Sequence, residues 1–502
     1  MEMSREESKS DIKILEIASS EEINKEFDVA FKFLKENGHE LKDILSFKLS
    51  PQLLRKIDFR IIPILCIIYF LQFLDKTLLN YSAAMGIKEN LQGNEFSNLS
   101  TIFYASYIFA EPFASYFLQI FPISKGLGVG VICWGIVLSC HSACKTYASL
   151  MVVRSLLGIF ESCSAVGIIS ISGMYYTKPE QISRVGIWSI QSGTGTIVGA
   201  LLSFAFQHVH TTRFTSWQIL FLVVGILTFS FGVFVWFYLP DNVTSTSFLN
   251  NEEKLMVLEH IRPNKTGTEN KRFKKEQVYE LLFKDKFTWP MLLLTMTSQI
   301  VTGAVGTYSV TVIGTFGFNN YASALVQIPI GVIIIIIIFA SSQLVAHFGR
   351  RTFVAISMMV PSIVGSIALL CLRLDQKLGN LFSLYLLYSG SSVLVLIYAW
   401  NSANTAGYTK RMFRNALTLV FFSLASLIGP QMFQAYSAPS YVPAKIAILV
   451  TQAVSIPLLL LIGYMSKVEN KKRDGEMKSH EEGSLEFLDL TDIENRDFRY
   501  SY

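Results

Sequence analysis

Long apolar runs separated by short polar turns dominate this sequence, and their rhythm predicts its elements. Nearly uncharged runs recur at 59–80, 98–121, 125–144, 147–173, 184–209 and 216–239, and again at 287–313, 320–347, 352–372, 379–401, 415–436 and 443–466. About 20 apolar residues in a helix cross the roughly 30 Å hydrocarbon core of a bilayer. Only helices and closed barrels satisfy their backbone polar groups in lipid, and these runs lack the two-residue alternation of barrel strands. The run at 332–340, VIIIIIIFA, is apolar on every side. The pattern predicts an all-α membrane protein of twelve transmembrane helices in two six-helix bundles.

Composition agrees. Of 502 residues, 51% are hydrophobic and 16% charged, against about 25% charged in ordinary soluble proteins, and the mean hydropathy is +0.41. The first 50 residues are mostly polar with no apolar stretch after a basic start, so the first span is expected to direct insertion itself. Lys and Arg near the span ends set orientation: with a cytosolic N-terminus, 24 fall inside and 6 outside. The expected organisation is a cytosolic tail at 1–55, a bundle at 56–240, a cytosolic linker at 241–286, a second bundle at 287–467 and a cytosolic tail at 468–502. Within the linker, Asn250 and Glu253 have capping-box spacing, and Leu255, Leu258 and Ile261 share one face of a short helix. The turns FPISK at 121–125 and HFGRR at 347–351 fall at equivalent places in the two halves, a weak internal repeat of the kind two-bundle transporters carry. In the N-terminal tail, Ile23, Phe27, Phe31 and Leu34 share a face of a possible surface helix at 21–34. The acidic run at 486–494 in the other tail suggests no chemistry.

Candidate chemistry lies in charges that sit where charge is expensive, roughly 2.5–3.5 kcal/mol each at a helix centre on insertion scales. Asp75, Lys76, Glu111, Arg154 and Glu161 fall within spans, all in the first half. Asp75 and Lys76 point about 100° apart on a helix and cannot serve one face. Arg154 and Glu161, seven apart, share a face about 10.5 Å apart along the axis, leaving room for a bound group or another side chain. The plainer alternatives are an Arg154–Asp75 pair that only holds helices together, and a Lys76 that snorkels to the headgroups. Glu111 precedes Pro112 in mid-span, where few innocent roles remain. Glu161, among Ser162, Cys163 and Ser164, is the expected proton carrier, with Glu111 and Asp75 as further proton-coupling candidates. The second half offers amides and aromatics instead: Gln299, Gln327, Gln343, and a cluster of Tyr398, Trp400, Asn401 and Asn404 at one span end. Lys76, Arg154, Tyr398, Asn401 and Asn404 are the expected substrate contacts.

The six cysteines lie in or beside apolar runs and suggest no disulfide framework. His141, between Cys140 and Cys144, lacks the further ligands a metal site needs. No cofactor or metal is expected, and the absence of an HExxH pattern or a membrane-embedded His cluster speaks against an enzyme. The net charge of +5 gives no reason to expect a nucleic-acid partner.

Particular stretches resemble a known family. LRKID at 54–58, YFLQFLDKT at 69–77 with Asn80 and Tyr81, RSLLGIFE at 154–161 and GYTK at 407–410 are similar to the fungal allantoate permease family, anion:cation symporters of the major facilitator superfamily. The resemblance runs over residues 50–470. FSNL at 96–99, SGMYYT at 172–177 and FLDLTDIEN at 487–495 look like a thiamine-pathway-associated, carboxylate-carrying branch of it. The resemblance implies that Lys76 meets a substrate carboxylate, and that Arg154 and Glu161 serve anion binding and proton coupling. Two departures keep a cationic or zwitterionic substrate open: Glu111 stands where many members carry Gln, and the seventh span holds no Arg. The expectation is a monomeric symporter of protons and a small organic anion, carboxylate or vitamin-related. A carrier of thiamine-like cations and a non-transporting membrane sensor are the alternatives. The plasma membrane is favoured over the endoplasmic reticulum.

Overall fold

A computed structural model of the chain describes residues 50–209, 211, 213–261, 274–476, 491–495 and 498–501; the expected helix at 21–34 lies outside them. The first half comprises α1 (Pro51–Ala84), α2 (Glu95–Ile120), α3 (Ile123–Cys140), α4 (Tyr147–Tyr175), α5 (Lys178–Ser189), α6 (Gln191–Gln207) and α7 (Ser216–Tyr238). The linker contributes α8 (Asn251–Ile261) and α9 (Lys275–Tyr279), which widens into a π turn at Glu280–Lys284. The second half comprises α10 (Thr288–Thr315), α11 (Asn320–Leu325), α12 (Ile328–Phe348), α13 (Arg351–Cys371), α14 (Lys377–Leu387), α15 (Val393–Asn404), α16 (Tyr408–Gln431) and α17 (Val442–Glu476). Three spans are broken helices: α5 with α6, α11 with α12, and α14 with α15, the last pair joined by a tight 3-10 turn at Tyr388–Ser392. No strand occurs among the described residues.

Ten spans are long and apolar enough to cross a membrane by length and composition. The other two expected spans are α2, of 26 residues, and α10, of 28. Both carry more hydroxyl, amide and acidic side chains than the rest, and both pack across the two halves, α2 on α16 and α10 on α1. A helix facing protein on several sides has less need of an apolar surface than one facing lipid. Elsewhere the outward surface is apolar, with Ile226, Leu227, Ile336, Phe339 and Val450 exposed.

Within the first half α3 packs on α7, α2 on α4 and α1 on α6; within the second α10 packs on α16, and α13 on α14 and α17. The halves also meet at α6 and α12, where Gly193 and Gly331 let the backbones touch: a Cβ on either glycine would strike the other's carbonyl oxygen. At the expected capping box the Asn250 N–H donates to Glu253, and Leu255, Leu258 and Ile261 are buried. Lys56 bonds the same carboxylate at 2.8 Å, tying α1 to the linker. Although burial pushes the Glu253 carboxyl up, Lys56 and the Asn250 N–H hold it below the usual range.

The hydrogen bonds that cross between halves among the described residues gather at the end away from the linker. Asn80 donates to Ser309 at 2.8 Å and accepts from the Val310 N–H at 3.0 Å. Ser97 meets Tyr308, Ser100 meets Thr307, Lys88 reaches Thr311, and Gln431 bonds Asn98 and Thr101. That end is stitched by polar bonds. At the linker end the halves touch through α5 against α12 and α15.

Candidate functional site

Lys76 and Glu161 meet in the middle of the first half, with Lys76 Nζ 3.2 Å from Glu161 Oε1 and Glu161 fully buried. Close helix approach shapes the surroundings of the pair. Gly158 on α4 lies so near the Phe103 carbonyl that a Cβ there would collide, which draws α2 against α4 and sets Tyr107 beside the pair. The Lys76 ammonium lies 5.6 Å from the Tyr107 ring centre and 5.4 Å from that of Phe73. Within 6 Å an aromatic face attracts a cation, so the ammonium is held by one carboxylate and two rings.

Asp75 points elsewhere, as adjacent helical positions must. The indole N–H of Trp134 on α3 donates to its Oδ2 at 2.6 Å, and its Oδ1 has no partner. The expected alternative, an Asp75–Arg154 ion pair, is not formed. Arg154, only 3% exposed, lies within ion-pair distance of no carboxylate among the described residues, and its Nη2 has no hydrogen-bond partner. Its guanidinium lies 5.3 Å from the Phe221 ring centre, and the same ring stacks on His141 at 4.7 Å and 9°. His141 is therefore an aromatic packing partner, and among the described residues no group of side chains could hold a metal. Glu111 is 2% exposed, and neither of its oxygens receives a hydrogen bond.

The aromatic and amide cluster of the second half divides. Tyr398 is half-buried. Asn401 is buried, donates to Thr418 at 2.9 Å and leaves its Oδ1 unpartnered. Asn404, expected among the substrate contacts, is committed to the chain's own C-terminal segment: its amide donates to the Ser501 carbonyl at 2.9 Å and accepts from the Ser501 N–H at 2.8 Å. Trp400 donates to the same carbonyl at 2.9 Å. Sequence spacing cannot reveal a partner 97 residues away. Trp134, a mid-span indole that has to find an acceptor once buried, and Gln72, buried one turn before Lys76, join the site beyond the expected residues.

A second buried charge cluster sits at the linker end of the second half. Because α16 starts at Tyr408, well before the apolar run at 415–436, Lys410 and Arg414 lie inside the helix. Lys410, fully buried, is 2.7 Å from Asp492, 2.8 Å from Glu280 and 3.8 Å from Asp285. Arg414 donates to Asp285 at 3.3 Å and to Thr405 at 2.9 Å. Burial outweighs the pull of Lys410 on Asp492 and, with Asp285 nearby, holds its carboxyl above the usual range. An open cavity of about 480 Å³ lies at the far end of the second half, lined by Arg373, Asp375, Ser440 and Lys445 among others; none of the expected site residues borders it.

Two six-span halves, the first enclosing a buried, incompletely satisfied charge cluster, define the class as a membrane transporter. The Major Facilitator Superfamily model matches residues 65–430, and the chain belongs to that superfamily and, within it, to the fungal allantoate permease family. It is 60% identical over 490 residues to the thiamine pathway transporter THI73 of Saccharomyces cerevisiae, covering 95% of this chain and 94% of that protein. With the allantoate permease of the same yeast it shares 33% identity over 465 residues, 89% and 85% of the two chains. The solved proton:xylose symporter XylE superposes with a TM-score of 0.66 at 14% identity, covering 81% of this chain and 95% of the other. At that identity the likeness concerns the fold alone.

Proposed function

We propose that the chain is a proton-coupled symporter of a small organic anion, working by alternating access between its two halves. The observation that carries the reading is the state of Arg154: a buried guanidinium with no carboxylate partner among the described residues and an unused N–H. A lone buried cation is costly unless something pairs with it, and a substrate carboxylate supplies the missing partner, bidentately if it reaches both terminal nitrogens. Lys76 is the second anion contact, released when Glu161 takes a proton. The charge count supports coupling: Asp75, Glu111 and Glu161 against Lys76 and Arg154 leave one carboxyl in excess, which one proton balances. Tyr398 and Asn401 face the substrate from the second half, with the free Asn401 Oδ1 as an acceptor.

With the linker and both termini cytosolic, as the distribution of Lys and Arg favours, the stitched end is the outer one and the site communicates with the cytosol. A monomer in the plasma membrane completes the reading. A second reading, transport of a thiamine-like cation, is favoured by Glu111, whose two unpartnered oxygens could take a cation; the name of the THI73 relative points the same way. Uptake into proteoliposomes separates them. Radiolabelled mono- and dicarboxylates are expected to accumulate when the outside is acidic, and Lys76→Ala to raise their KM strongly at unchanged abundance. Accumulation of thiamine with no carboxylate uptake would replace the first reading by the second.

A further inference from the structure

The C-terminal segment is built into the second half. Arg473 on α17 donates to the carbonyls of Asp492, Asn495 and Phe498 and to the Tyr500 hydroxyl, with its guanidinium 4.6 Å from the Tyr500 ring centre. Tyr500 donates to Asp492 at 2.8 Å and packs on Phe287 at the start of α10, ring centres 4.6 Å apart. Asn470 closes a reciprocal pair with the Tyr500 backbone. Asp492 meets Lys410 on α16, and Ser501 is held by Trp400 and Asn404 on α15. One short segment thus joins four helices at the linker end.

What it holds matters more than how firmly. The helix α15 is the second piece of a broken span, separated from α14 by the turn at Tyr388–Ser392, and it carries Tyr398 and Asn401. Trp400 and Asn404, the two attachment points of Ser501, flank Asn401. α15 also touches α5 of the first half, so movement of α15 at its turn changes how the halves meet at the linker end.

We propose that residues 491–495 and 498–501 act as an internal brake: docked, they pin α15 to α16 and α17; released, they free α15 to swing at the Tyr388–Ser392 turn and close the linker end. The device depends on the fold and not on the identity of the substrate. Arg473→Ala and Tyr500→Ala in the full chain undock the segment while Lys410 keeps Glu280 and Asp285. Two readouts test it without a substrate. Amide hydrogen exchange over 393–404 is expected to quicken at least tenfold in both variants, with α13 and the first half unchanged. Spin labels on Ser183→Cys in α5 and Arg350→Cys before α13, both exposed at the linker end, are expected to show a short-distance population at least threefold larger than without the undocking substitution. Unchanged exchange in α15, faster exchange throughout the second half, or identical distance distributions would each overturn the brake.

Discussion

The protein holds two buried charge clusters, and they are organised in opposite ways. At the linker end of the second half, Lys410 is surrounded by Asp492, Glu280 and Asp285, and Arg414 donates to Asp285 and Thr405. In the middle of the first half, five ionisable groups share one ion pair, Lys76 with Glu161. Among the described residues Asp75, Glu111 and Arg154 there form no ion pair, and Asp75 Oδ1, both Glu111 oxygens and Arg154 Nη2 lack hydrogen-bond partners. Burial of charge is common to both, so burial does not mark the site. Nor does a missing hydrogen bond alone, since Arg414 Nε and Nη2 also lack one; charge without an ion-pair partner does, because it costs stability that evolution removes unless a substrate or a proton supplies that partner.

The sharpest way to break that contrast is to treat the clusters alike. Lys410→Met leaves three carboxylates facing one another and is expected to destabilise the protein by roughly 3–5 kcal/mol, seen as a large fall in thermal stability in detergent. The surviving protein is expected to keep its substrate KM. A shift in Tm too small to resolve would show that the second cluster is no better satisfied than the first. Arg154→Gln is the counterpart. With no ion-paired partner to orphan, it is expected to leave abundance and Tm nearly intact while uptake falls about 10–100-fold, the worth of a lost charge-assisted hydrogen bond of roughly 1.5–3 kcal/mol. Loss of folded protein instead would make Arg154 a structural residue.

Two smaller effects sharpen the picture. Asn80→Ala removes two bonds of the polar stitch, each worth about 1 kcal/mol, and is expected to shift the equilibrium toward the state open at the end away from the linker. The maleimide labelling rate of a cysteine at Thr311 reads that shift, and an unchanged rate would mean the stitch does not control opening. Trp134→Phe frees the second Asp75 oxygen and is expected to change uptake by about tenfold or less, consistent with one hydrogen bond. No change would place Asp75 outside the transport pathway.

Much of this organisation was legible in the chain. Apolar runs long enough to span a bilayer, basic turns and the Asn250–Glu253 cap are local signals, and local signals translate directly into helices. The five first-half charges were legible too, because an ionisable residue in an apolar run is conspicuous. Their pairing was not. Helical spacing allowed Arg154 to join Glu161 or Asp75, whereas Glu161 on α4 is met by Lys76 from α1, a contact between helices that spacing along one helix does not record. The 100° between Asp75 and Lys76 was readable as two different faces; that these faces meet Trp134 on α3 and Glu161 on α4 was not. The attachment of Asn404 and of Lys410 to the tail was not legible either: Ser501 and Asp492 find these partners far along the chain, and no periodicity records such a contact.

Proton coupling through Glu161 is the central claim, and one pair of activities measured on Glu161→Gln tests it most directly. The amide mimics the protonated acid, releases Lys76 and still permits the halves to rock. At matched abundance in proteoliposomes, exchange of a transported carboxylate is expected to persist while accumulation driven by a pH gradient is lost. Accumulation that survives intact would contradict the account and move the coupling to Glu111 or Asp75.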